Sequence, residues 1–156
     1  MGDEAFMAVA TQSFKAADAI FKHEKPGDLT FNPNADMTTL TSAQVSQALQ
    51  YYTGLHAFAV CETAKTDAQM TATDFRLRVL RKSLLAELAS TKRKKYDIDA
   101  EIETDAEYSR LLENKAHLTV QRLALEATMK GVEEKAACLS RELTRREGES
   151  RLAGRH

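Results

Sequence analysis

Four consecutive cations, Lys92-Arg93-Lys94-Lys95, run directly into Tyr96, and Arg76, Arg78, Arg81 and Lys82 stand upstream of them. Long cationic side chains along a track can neutralise phosphates, and an aromatic ring beside them can stack on an unpaired base. A charge run on an exposed helix is also what an ordinary solvated face looks like, so the pattern leaves both readings open. The candidate nucleic-acid contacts are Lys92, Arg93, Lys94, Lys95 and Tyr96, with Arg81 and Lys82 as neighbours. In an oligomer, several copies of such a patch would act together as one strong field.

Little else in the chain points to chemistry. His23, His56, His117 and His156 are scattered, and no Gly-rich phosphate loop, nucleophile elbow or zinc motif can be drawn. Asp97, Asp99, Glu101, Glu103, Asp105 and Glu107 form a carboxylate cluster without the glycine turn of a calcium loop, so they read as a solvated tip. Cys61 and Cys138 have no ligand partners at metal spacing and read as reduced thiols, with a disulfide between them as the alternative. The expectation is a protein that is not an enzyme and needs no cofactor or metal.

Composition agrees with a binding or assembly role. The formal net charge is −1, but residues 1–72 carry four basic and eight acidic side chains, residues 73–95 eight and two, and residues 96–107 none and six. Charge is therefore segregated along the chain despite the neutral total. Asp3 and Glu4 stand where a signal peptide needs positive charge, and no apolar run approaches membrane-spanning length. The expected location is the cytoplasm, with no membrane partner.

The elements that must position these groups read as helices. Only two prolines and six glycines occur, and none lies between Lys92 and Lys130. Ala5, Phe6, Val9, Ala10, Phe14, Ala17, Ile20 and Phe21 give an amphipathic helix over 4–23, followed by a linker to Leu40 whose Leu29, Phe31 and Met37 are expected to dock on a neighbour. Thr41-Ser-Ala-Gln44 has the form of a capping box and opens a second helix running to about Ala100. Val45, Leu49, Tyr52, Leu55, Ala59 and Val60 line one face, continued by Leu77, Leu80, Leu84 and Leu88. A second capping box, Thr104-Asp-Ala-Glu107, opens the third helix.

That helix carries Leu118, Leu125, Val132 and Leu139 at intervals of seven, with Met129, Ala136 and Leu143 in the alternate core column and Arg122 intruding on it. With a turn near residues 101–104, positions adding to about 205 face each other, pairing Leu77 with Met129, Leu80 with Leu125 and Leu88 with Leu118. The fold expected is all-α: an N-terminal helix and linker over 1–40, a long antiparallel helical hairpin over 41–147, and a flexible tail over 148–156.

Three stretches carry a likeness to a known family. They are Ala48-Leu49-Gln50-Tyr51-Tyr52-Thr53-Gly54-Leu55 ahead of a long amphipathic helix, the basic segment Lys92 to Asp97, and the closing run Leu123 to Arg146 with Ser140-Arg141-Glu142. Over about 100 residues the chain resembles the UvsY-like recombination mediators of bacteriophages; residues 1–40 have no counterpart. The resemblance implies a ring-like homo-oligomer that binds single-stranded DNA and helps load a RecA-type recombinase onto strands coated with single-strand-binding protein, in DNA recombination and repair. It matches Lys92 and Lys94 to the DNA-contacting basic pair, with Arg93 and Lys95 auxiliary. The competing expectation is a scaffolding coiled-coil protein, such as a virion or assembly component, whose basic turn pairs with acidic residues of another chain.

Overall fold

A computed structural model describes residues 24–89 and 95–154, and every regular element among them is helical. A 3-10 turn at Met37–Thr39 precedes α1 (Ser42–Ala89), a short α2 (Lys95–Thr104) and α3 (Ala106–Ala153). The amphipathic helix expected over 4–23 lies outside the described residues. No described helix is long and apolar enough to cross a membrane.

Local signals fix most of these bounds. Gln44 N donates to Thr41 Oγ1 at 3.3 Å while Thr41 N donates to Gln44 Oε1 at 2.9 Å, the reciprocal capping box expected from the sequence. At the start of α3 the cap is instead Asp105, which accepts from Tyr108 N at 2.8 Å, while the Thr104 hydroxyl turns back onto the carbonyls of Ala100 and Glu101. Thr104 therefore ends α2 rather than opening α3. Helix α3 continues through Gly148 to Ala153, so the tail expected from residue 148 is helical over most of its length.

The described residues form two compact units that share α1 and α3. In the first, 63–89 and 95–124, Arg81 Nη2 reaches Asp99 Oδ1 at 3.2 Å. Eighteen residues of straight helix would hold those groups about 27 Å apart, so the chain reverses between Ala89 and Lys95. This corrects the expectation of one helix to Ala100 with a turn at 101–104. Reversal lets Ile102 bury to 2 % exposure, in a stretch of α2 beside Leu84 and Leu88, a gain of about 2–3 kcal/mol.

Register in this unit is set by polar groups. Asp67 Oδ1 meets Arg122 Nε at 2.8 Å, Asp74 Oδ1 meets Lys115 Nζ at 2.7 Å, and Asn114 Nδ2 donates to Thr73 Oγ1 at 3.4 Å. Facing positions therefore add to about 188, not 205. In the expected register Asp67 would oppose Cys138 and Asp74 would oppose Gly131, leaving both aspartates without a cation. The seam of α1 includes Thr66 and Thr73, buried to 1 % and 5 %, where the sequence offers no apolar signal. Thr73 Oγ1 satisfies itself on Gln69 O at 2.9 Å. Leu77 and Leu118 are buried as expected, but the pairings of Leu77 with Met129, Leu80 with Leu125 and Leu88 with Leu118 do not form in this register.

The second unit, 24–62 and 125–154, holds the larger apolar cluster: Leu40, Val45, Ala48 and Tyr52 against Val132 and Leu139. Leu29, Phe31, Ala35 and Met37 pack onto it, which is the docking expected of the linker. Full burial of Val45, Val132 and Leu139 stabilises by about 1.5–3 kcal/mol each. Polar ties then pin the segment. Tyr52 Oη donates to Asn34 Oδ1 at 3.3 Å, and Lys135 Nζ donates to the same oxygen while lying 5.4 Å from the Tyr52 ring centroid. Arg146 donates to the carbonyls of Leu40 at 2.7 Å and Met37 at 2.6 Å, closing the end of the 3-10 turn. Arg146 thus ties this segment to α3, about two turns before the helix ends, where the dipole expected to favour it from the sequence contributes little.

Candidate nucleic-acid interface

The basic groups singled out in the sequence come from both sides of the reversal. Lys92, Arg93 and Lys94 lie outside the described residues. Lys95 opens α2 and is exposed, and Tyr96 beside it is 83 % exposed. A ring left so open gains nothing from packing and keeps both faces available to a base.

Arg81 and Lys82 project from the last turns of α1, both exposed. The reversal between Ala89 and Lys95 brings these turns alongside α2, where Arg81 pairs with Asp99 at 3.2 Å. That pair is 53 % and 35 % exposed on its two sides, so water screens it and it contributes at most about 1 kcal/mol. A phosphate can compete for such an arginine at little cost. Arg78 Nε turns onto Asp74 O at 3.4 Å, along its own helix.

The carboxylates have local structural roles. Asp99 pairs with Arg81, Asp105 caps α3, and Asp97 and Glu107 stand in the first turns of α2 and α3, where the helix dipole favours negative charge. Among the described residues no group of three or more His, Cys, Asp or Glu side chains is placed to hold a metal ion.

One feature of the first unit was not legible as a site in the sequence. A cleft of about 730 Å³ opens along α1 and α3, with Phe75, Val79, Leu80 and Leu111 among its apolar walls and Arg76 and Arg110 on its polar ones. Glu107 and Glu113 also line it, so its charge is mixed, unlike the purely cationic run that ends at Lys95. His117, at the same cleft, comes within 4.0 Å of Glu113.

In the second unit Cys61 and Cys138 are both free and half-buried. The disulfide considered from the sequence relied on the register of about 205; with Tyr52 opposite Lys135, the two thiols sit about three turns out of step.

Neither the scan against protein-family models nor the searches of curated proteins and of solved structures find a match to this chain.

Proposed function

We propose that this chain is a non-enzymatic recombination mediator, which binds single-stranded DNA as a homo-oligomer and helps load a RecA-type recombinase onto strands coated with single-strand-binding protein. The observation that carries this reading is the exposed Tyr96 beside Lys95, immediately after Lys92-Arg93-Lys94 and alongside the turns of α1 that bear Arg81 and Lys82. Phosphates would lie along the cations and a base on the ring, with no sequence readout required. The resemblance of the three sequence stretches to UvsY-like mediators supplies the recombinase and the coated strand as partners. Titration of a labelled oligothymidylate against salt tests it. Affinity should fall steeply with salt, and Lys92→Ala/Lys94→Ala should weaken binding and flatten the slope by about 1.4 in log–log terms if both residues contact phosphate. Unchanged affinity and slope in the double variant would remove these residues from the mechanism.

A scaffolding coiled-coil protein is the second reading, favoured by a separate observation. Leu112, Val120 and Leu123 on α3 are 42 %, 67 % and 58 % exposed, an apolar strip suited to packing on another chain. Self-association with no oligonucleotide affinity at low salt would favour it over the mediator.

A further inference from the structure

Helix α3 is apolar on two opposite sides. On one, Leu118 lies buried in the seam with α1. At 100° per residue, Leu112, Ala116, Val120, Leu123 and Ala127 fall on the other side, and all five are exposed. They form a strip about 23 Å long on which Val120 and Leu123 are 67 % and 58 % open to solvent. The charges of this stretch stand off it. Lys115 and Arg122 turn towards α1, where Asp74 and Asp67 hold them, and Glu113 lies on the flank within 4.0 Å of His117. The strip therefore offers nothing to a phosphate or other charged ligand, and it fits an apolar surface.

We infer that this surface is the same strip on a second copy of the chain, running antiparallel about a twofold axis at Val120. The order of side-chain sizes selects that occupant. Reversed about Val120, Leu112 faces Ala127 of the second copy and Ala116 faces its Leu123, so every leucine meets an alanine and Val120 meets its own counterpart. A parallel pairing would set leucine on leucine and alanine on alanine, alternating crowding with gaps. The strip also points away from α1, so each copy keeps its own seam on pairing. One helix width over this length falls short of the ~800 Å² per partner that a stable dimer buries, which makes the association reversible. The inference rests on the self-association that both readings of the function share, and assigns the face that makes it.

Sedimentation velocity of the full chain over a range of concentrations, with cysteine joining, tests it. The wild type should associate reversibly. Leu123→Ala, which leaves alanine facing alanine, should weaken association roughly tenfold. Ala116→Leu/Leu123→Ala, which exchanges the sizes across the axis, should recover most of that loss. Circular dichroism should show the same helix content throughout, because both positions are exposed in the single chain. In a Cys61→Ser/Cys138→Ser background, Leu112→Cys chains mixed with Ala127→Cys chains and treated with a short bismaleimide should give the mixed dimer. Leu112→Cys alone should not join, since its two thiols would stand about 24 Å apart along the helices. Joining of Leu112→Cys chains to one another would overturn the antiparallel arrangement. An association indifferent to Leu123→Ala would overturn this face while leaving the homo-oligomer standing. A wild type that stays monomeric at every concentration would overturn both.

Discussion

Arg122 Nε lies 2.8 Å from Asp67 Oδ1, and one heptad along, Lys115 Nζ lies 2.7 Å from Asp74 Oδ1. Both cations occupy the core column of α3 that also contains Met129, Ala136 and Leu143, and both find an aspartate seven residues apart on α1. Such a ladder specifies alignment more than it adds stability, since any other register strands charges at a packed seam.

Reversing one rung should show this directly. Asp67→Arg alone sets two cations against each other and should lower the denaturant midpoint, by an amount corresponding to about 1 kcal/mol, given that both side chains are nearly half exposed. Adding Arg122→Asp should recover most of the loss. A double variant no more stable than the sum of its singles would mean that the pair does not couple.

Glu142 accepts hydrogen bonds from Arg145 and Arg146, and these hold its carboxyl at about 2, below its ordinary 4.5. Because the folded value is the lower one, the stabilisation is fully present above about pH 4.5 and is lost as pH falls towards 2. Acid titration of the wild type and Glu142→Gln should therefore show stability curves that converge across that window. Parallel curves would refute the assignment.

Arg146 ties α3 to the carbonyls of Met37 and Leu40. Arg146→Met keeps much of the packing volume but removes charge-assisted bonds worth about 1.5–3 kcal/mol. Hydrogen exchange at Thr39 and Leu40, whose amides close the 3-10 turn, should accelerate well before exchange in α1 does. Uniform acceleration through the unit would indicate a global loss instead.

Gly54 is helical, and a β-carbon there would meet Pro26 at 3.7 Å, an ordinary contact. Gly54→Ala should stabilise by up to about 1 kcal/mol through helix propensity alone. A fall in melting temperature would show that the segment at Pro26 packs more tightly on α1 than this spacing allows.

Tyr96→Ala offers a complement to the lysine variants. Loss of a stacked base should cost about 1–3 kcal/mol of oligonucleotide affinity while leaving the salt slope unchanged, because no phosphate contact is removed. An effect confined to the slope would place the ring outside the interface.

The sequence by itself determined that this chain is helical, where α1 begins, which apolar residues form much of the seam, and that Leu29, Phe31 and Met37 dock. These depend on local chemistry: the Thr41–Gln44 cap, the scarcity of Gly and Pro, and the sevenfold spacing of Leu118, Val132 and Leu139. The tertiary structure decided the point of reversal and the register. Lys and Arg are good helix formers, so the sequence Lys92–Lys95 gives no turn signal of its own, and the return of α2 beside α1 is favoured by the burial of Ile102. Register was equally hidden, because its determinants are polar. Asp67, Asp74, Thr73 and Asn114 resemble surface residues until their partners, 41 to 55 positions away, are brought against them. The candidate interface shares this division: its cations are visible in the chain, whereas the company of Arg81, Asp99 and Tyr96 at one end of the first unit comes from the reversal.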